Sequence, residues 1–312
     1  MKTVNLCMSG GRTSAYMTEK VLELQSKGYF SNTDFVITFA NTGREHEKTL
    51  EFVNNCDIRW RKLYNNRVFW LEAVVHEGRK PSSHKLVDFE SLSKKGEVFE
   101  RVTQKYGLPN NNFLHCTREL KENPILSYML SIGEDVGFTK GGEFISATYE
   151  TWIGIRADEP KRLGGNMNGK QKKVFPLAGH LLHCDKQDVL DFWEDMPFDL
   201  DLPEHLGNCI DCHKKSFKKL KLVHNETSGE AFEFTQELDN KYSMVKAQVL
   251  DDGEIKERKR FRGYRNTSEL IKMFSEMEVN TKDYGHESGS CSESCEAFMN
   301  DNKAEEQLDL FK

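Results

Sequence analysis

The amino-acid sequence predicts an α/β protein built on a doubly wound, mainly parallel sheet with a small C-terminal extension. Three observations carry that expectation. Strand-like and helix-like stretches alternate through the first half of the chain, the pattern that gives parallel sheets with right-handed crossovers. The first two apolar runs each end in a glycine-containing turn, Ser9-Gly10-Gly11 and Asn41-Thr42-Gly43. The length, 312 residues, suits one large domain with a smaller appendage.

Taken in order, residues 4–8 form a short apolar strand and residues 13–24 a helix. Phe35-Val36-Ile37-Thr38-Phe39-Ala40 reads as a second buried strand and residues 47–55 as a second helix. Between residues 58 and 63 apolar and basic side chains alternate, as in an edge strand. Residues 76–112 are polar and read as an excursion from the sheet. A helix over 117–130 and apolar, strand-like residues over 144–156 follow. Residues 185–194 make an amphipathic helix with Val189, Leu190, Phe192 and Trp193. The chain divides at 1–220, 221–281 and a polar tail, 282–312. Ligands of such sheets bind beyond the carboxyl ends of the strands, where both glycine turns lie.

Charged residues at 30% and hydrophobic residues at 37% suit a soluble protein with a real core. A net charge of -6 argues against uniform coating of nucleic acid. Met1-Lys2-Thr3-Val4-Asn5-Leu6 is too short and polar for a signal peptide, and no apolar run approaches the roughly 18 residues that span a membrane. A cytoplasmic location with no membrane partner is expected. There thiols stay reduced, so the eight cysteines are not expected to pair. Cys7, in a core strand, and Cys56, at a helix end, read as small apolar residues.

Ser9-Gly10-Gly11-Arg12-Thr13-Ser14 joins a strand directly to a helix. Glycines let backbone approach a phosphate, and free amides at a helix start face an anion. The same turn would also serve as a plain helix cap. The lysine of a Walker A loop is missing. The segment resembles the PP-loop of the adenine nucleotide α-hydrolase superfamily, Ser-Gly-Gly-x-x-Ser after the first strand. Thr42-Gly43-Arg44-Glu45, with Thr49 beyond, resembles a segment near the adenosine in phosphoadenosine-phosphosulfate reductases. Trp152-Ile153-Gly154-Ile155-Arg156-Ala157-Asp158-Glu159 resembles their Gly-Ile-Arg segment, whose arginine faces the phosphates. Pro176-Leu177, Asp188-Val189, Phe192-Trp193 and Gly207-Asn208-Cys209 follow that family's order, so the resemblance covers about residues 3 to 220. It implies nucleotide binding by Ser9, Gly10, Gly11, Arg12, Thr13, Ser14, Thr42, Gly43, Glu45, Gly154 and Arg156, with Ser14 and Arg156 in catalytic positions. The reductases end in Glu-Cys-Gly-Leu-His, whose cysteine attacks sulfur, and this chain has no such sequence.

Cys209-Ile210-Asp211-Cys212 is a CxxC, by itself a zinc half-site, a redox pair or part of an iron–sulfur site. Cys116 lies far upstream at an expected helix start, where the dipole favours a thiolate. Adenosine-phosphosulfate reductases place a Cys-Cys pair there, completing four ligands to a [4Fe–4S] cluster. Here the pair is His115-Cys116. The resemblance therefore implies a cluster on Cys116, Cys209 and Cys212 with one iron lacking a cysteine, as in sulfur-inserting PP-loop enzymes that hold sulfide there. His115 or Cys184 would alternatively close the site, although Cys184 also reads as a bystander at a helix start. Cys291 and Cys295 are either a resolving or sulfur-relay pair or tail thiols of no role. Histidines 76, 84, 180, 205, 213, 224 and 286 show no ligand spacing.

Lys214, Lys215, Lys218, Lys219 and Lys221 either offset an anionic cluster and draw a phosphate-rich substrate or form a solvated helix face. Residues 256–265 carry six cations with Phe261 and Tyr264, which would stack nucleic-acid bases or pack inward in a hairpin. Three functions fit. One is ATP- and Mg²⁺-dependent adenylation for sulfur transfer or modification, with nucleic acid among the acceptors. Another is reduction of phosphoadenosine or adenosine phosphosulfate (PAPS or APS) to sulfite, and the third is nucleotide-binding regulation without turnover. Gln307 to Phe311 resembles the pentapeptide by which bacterial replication and repair proteins dock on the sliding clamp, against the plainer reading of an amphipathic last turn.

Overall fold

In the computed structural model, residues 1–140, 143–163, 171–277 and 297–299 are described. β1 (Lys2–Met8) runs into α1 (Arg12–Ser26), β2 (Thr33–Asn41) into α2 (Glu47–Tyr64), and β3 (Val68–Val74) turns back as β4 (Ser83–Val87). After α3 (Glu97–Tyr106), α4 (His115–Thr117) passes through a π turn, Arg118–Glu122, into α5 (Asn123–Ser131). A hairpin of β5 (Phe138–Lys140) and β6 (Glu143–Ile145) precedes β7 (Glu150–Ile153) and β8 (Lys172–Val174). Then come α6 (Lys186–Glu194), α7 (Phe217–Glu226), α8 (Glu233–Tyr242), the hairpin of β9 (Gln248–Val249) and β10 (Ile255–Lys256), and α9 (Thr267–Glu276).

Six strands make the central sheet in the order β4-β3-β2-β1-β7-β8, parallel except for β4. Successive side chains of a strand point to opposite faces, and here both faces are covered. Val4, Leu6, Met8, Phe35, Ile37, Phe39 and Trp70 pack with Met17, Val21, Leu50, Val53, Trp60 and Trp193 of α1, α2 and α6. Val36, Ala40 and Leu71 face the other way, onto Ile125, Leu126 and Met129 of α5. The chain moves outward from β1 to β2 and β3, then crosses back to β7 on the other side of β1. The crevice beyond β1 and β7 is therefore the switch point of the sheet.

Several elements differ from expectation. Residues 58–63 continue α2 rather than forming an edge strand. Cys56, Asp57 and Trp60 are buried at helical spacing, whereas Ile58 and Leu63, which suggested the strand, point to solvent. Arg61 pairs with Asp57 one turn back (2.6 Å), and Asn65 ends the helix in the left-handed region. The third strand is Val68–Val74. The polar stretch 76–112 contains β4 and α3. The helix expected over 117–130 is present, running from His115 to Ser131 with the π turn inside it. Of the extension, Val223, Phe232, Phe261, Leu270 and Phe274, with Leu220 before it, belong to the same apolar cluster as the sheet. Among the described residues, no helix is long and apolar enough to cross a membrane.

A buried carboxylate locks the first two helices. Glu19 accepts from Arg59 Nη2 (3.0 Å), Trp60 Nε1 (2.7 Å) and Tyr64 Oη (2.7 Å) while almost wholly shielded from solvent. Glu19→Ala would strand all three donors. Urea unfolding should show a loss of about 3 kcal/mol, the usual result of removing one partner of a buried ion pair. An unchanged midpoint would contradict this account.

Candidate functional site

Beyond the ends of β1 and β7 opens a cleft of about 460 Å³, lined by Ser9, Gly10, Gly11, Arg12, Thr13, Thr49, Arg156, Gly207 and Asn208 among others. Its cations, Arg12, Arg156, Arg162 and Lys186, outnumber its carboxylates, Glu159 and Glu204, so an overall acidic chain presents a basic pocket. α1 begins at Gly11 with no side-chain cap and no acidic residue in its first turn. Its leading amides and the positive end of its dipole thus lack an anionic side-chain partner.

The loop is held from within. Ser14, buried below it, accepts from the Ser9 amide (3.1 Å) and donates to the Gly11 carbonyl (3.1 Å). Gly10 has φ +85°, and a Cβ there would lie 2.7 Å from Thr49 Cγ2. A Cβ on Gly154 would lie 2.8 Å from Ser14 Cα, so this glycine lets the end of β7 meet the first turn of α1. Two residues on, Arg156 donates through Nη1 to Thr13 Oγ1 (3.1 Å) and through Nε to Asp158 (2.8 Å). Arg12 is a wall support, with Nε and Nη2 both 2.7 Å from Asp199 carboxylate oxygens.

A second, small cavity lies alongside. It is lined by Thr42, Phe99, Cys116, Thr117, Leu120, Lys121, Cys209, Cys212, His213 and Arg260. The fold thus brings together the three cysteines singled out by sequence. Gly207 and Asn208 line the cleft while Cys209, the next residue, lines the cavity. Thr42 lines the cavity, while Gly43 and Glu45 line neither it nor the cleft. Thr42 Oγ1 donates to Glu45 (2.8 Å) and lies 3.4 Å from Cys209 Sγ, Glu45 bridges to Cys209, and Ile210 N donates to the Arg44 carbonyl (3.1 Å). The segment that resembles an adenosine contact is here the clasp of the CxxC.

Burial pushes the Cys209 thiol up to about 12, with Glu45 adding to it, and burial followed by Cys212 raises Cys116. As bare thiols both are neutral near pH 7, and a bound metal centre would deprotonate them. Asp211, between the two cysteines in sequence, is buried. Burial would raise its carboxyl, but Arg44 at 3.1 Å and Arg260 hold it below its ordinary range. Burial, then Arg260, pushes His213 far below its ordinary value. Two polar groups in this cavity have unmet demands among the described residues. Arg260, 2% exposed, has no hydrogen-bond partner for Nε or Nη1, and His213, 1% exposed, has none for Nε2. No three histidine, cysteine, aspartate or glutamate side chains among the described residues converge on one ion position.

The two residues that would alternatively close the cysteine set do not line the cavity. His115 Nε2 lies 2.9 Å from the Gly107 carbonyl with its ring stacked on Tyr106, and Cys184 is buried in the core beside α6, with its thiol raised to about 12 by burial and then Asp188. Cys7 and Cys56 are buried in the core. Lys215 is buried and donates to the Ile210 carbonyl (2.9 Å), and Lys219 pairs with Glu204 (3.0 Å), so those two lysines brace the loop rather than form a solvated face. Of the aromatics in 256–265, Phe261 packs inward and Tyr264 is exposed beneath Arg265 (4.6 Å). Cys291, Cys295 and the segment from Gln307 to Phe311 lie outside the described residues.

Over 304 residues, spanning 93% of this chain and 93% of the relative, the sequence is 33% identical to the uncharacterized nin region protein ORF290 of Escherichia phage lambda. The chain belongs to the family of that nin region protein. No protein-family model matches it. Sequence reasoning set aside His213 and did not single out Arg260. The available signal was the adjacency Cys212-His213, directly following the CxxC.

Proposed function

We propose that this chain is a PP-loop enzyme, similar to the phosphoadenosine-phosphosulfate reductase family, that binds ATP with Mg²⁺ in the cleft and adenylates a substrate beside a [4Fe–4S] cluster. One observation carries the reading most. The chain passes from the anion-suited cleft to the buried cysteine cavity within Gly207-Asn208-Cys209. The cavity suits a cluster chemically. It offers three thiols, the Arg260 guanidinium without partners for two of its nitrogens, and Lys121, which favours the thiolate forms of Cys116 and Cys209. Cys116, Cys209 and Cys212 would hold it, and when bound it supplies electron transfer or a site for sulfur.

The chain's own groups would do the nucleotide chemistry. The uncapped α1 amides and the loop hold pyrophosphate oxygens, and Arg156 adds charge at the same wall. A substrate oxygen attacks the α-phosphorus, the bond to the bridging oxygen breaks, and pyrophosphate leaves. Such catalysis is positioning and charge stabilisation. Anaerobic binding of ATP, PAPS and APS should be measured in parallel, with ATP expected to bind and to release pyrophosphate. In Arg156→Ala the affinity should fall by the roughly 1.5–3 kcal/mol of a charge-assisted contact. Glu159 keeps its pair with Arg162 (2.6 Å), so the wall should survive that change. Parental ATP binding by the variant would move the site elsewhere.

A second reading, reduction of PAPS or APS to sulfite, draws on a different observation. Ala297 lines a small cavity with Ser9 and Lys121, and the Phe298 amide donates to Glu122 (2.8 Å). The chain after the tail cysteines thus returns to the loop. Sulfite release with a thiol reductant would support this reading, and its absence with both sulfonucleotides would end it.

A further inference from the structure

We propose that His213 is the fourth ligand of the metal centre, binding through Nε2 at the corner that Cys116, Cys209 and Cys212 leave open; this rests on the cluster reading above. The case begins with an unmet polar atom. His213 is 1% exposed, lines the same cavity as the three cysteines, and its Nε2 has no hydrogen-bond partner among the described residues. A buried polar atom left unpaired costs about 1–3 kcal/mol, so its presence at the wall of this cavity calls for a partner that the described residues do not provide.

The backbone presents it there for the same reason that it presents Cys212. Cys212 N donates to the Cys209 carbonyl (3.1 Å) and Lys215 N to the Cys212 carbonyl (2.9 Å), two successive turns that hold residues 209–215 as a rigid unit. Neither alternative lines the cavity: His115 turns Nε2 to the Gly107 carbonyl, and Cys184 lies in the core beside α6. Arg260 makes the complementary demand, since its unpartnered Nε and Nη1 are buried donors in the cavity where an anionic centre would sit. Cys116, Cys209, Cys212 and His213 all line this one cavity.

A neutral imidazole in place of a thiolate leaves the cluster one unit less negative, which raises its reduction potential.

The test uses full-length protein, reconstituted anaerobically with iron and sulfide, with its histidines labelled with ¹⁵N. Pulsed electron paramagnetic resonance of the reduced cluster should show a directly coordinated ¹⁵N. The coupling should vanish in His213→Ala and His213→Cys and persist in His115→Gln. His213→Cys should keep the parental iron and sulfide content and shift the midpoint potential downward. A parent with full iron and sulfide but no nitrogen coupling, or coupling that survives in His213→Ala, would overturn the assignment and leave the cluster standing. A parent that takes up zinc, or no iron and sulfide, would overturn the cluster reading and this assignment together.

Discussion

Serine in place of Cys116, Cys209 or Cys212 should leave anaerobically purified protein colourless, with iron and sulfide falling from about four per chain to near zero. The expectation rests on where the thiols come from. Cys116 belongs to α4, while Cys209 and Cys212 sit on a loop clasped by Arg44 and Glu45, so two distant segments must meet to make one site. Two buried thiols and a half-buried one that served only as apolar filler would behave differently. A serine hydroxyl left unsatisfied would lower stability by about 1–3 kcal/mol and change no metal content, because the parent would carry none. Cys56 is the matched control. It is as deeply buried, but in the core between α2 and the sheet, and Cys56→Ala should keep the parental iron and sulfide. Stoichiometric zinc without labile sulfide in the parent would exclude the cluster.

That prediction was reachable from sequence only in part. Residues 1–56 were legible because each strand, glycine turn and helix is a local pattern. β1, α1 and β2 match expectation to within two or three residues at each end, while α2 starts as expected but runs nine residues further, to Tyr64. Where burial is polar, the pattern fails. Asp57 is buried because it accepts from the Val68 amide (2.7 Å) and pairs with Arg61, so the inner face of α2 does not look apolar. β4 is an edge strand with Lys85 and Leu86 exposed, and it hides within a polar stretch. The cysteine set was suggested by resemblance, but the partners Arg260 and His213 depend on a meeting of residues 116, 209–213 and 260 that no local spacing encodes. The placement of Thr42, Gly43 and Glu45 shows the converse. A motif match names residues that belong together, and the fold decides which wall of the site they make.

The glycines of the loop separate architecture from ligand binding, and Gly11→Ala gives the sharper of two expected results. Gly10 needs its glycine for the fold, having φ +85° and a Cβ position 2.7 Å from Thr49 Cγ2. Gly154 needs it for packing. A methyl there meets only backbone, Ser14 Cα at 2.8 Å, Ser14 N at 3.1 Å and Thr13 O at 3.2 Å, which cannot swing aside as a side-chain tip can. Gly154→Ala should therefore cost about 1–3 kcal/mol of stability and, by moving Arg156 against the loop, about 100-fold in turnover. Gly11 has neither constraint. Its φ is -98°, and a Cβ would find only Ser9 Oγ, at 3.8 Å. Nothing in the protein's own packing requires glycine at this position, yet it is the N-cap of α1 and lines the cleft. Alanine is a poorer N-cap, so a stability loss of about 0.5–1 kcal/mol is expected. If backbone at Gly11 approaches a phosphate, the methyl should also weaken ATP binding by at least about tenfold, the equivalent of ~1.4 kcal/mol. Thermal unfolding and calorimetric titration of the same preparation would read both quantities. A variant that unfolds slightly early and binds ATP as the parent does would mean that the glycine serves the helix start alone, and the nucleotide would have to lie elsewhere in the cleft.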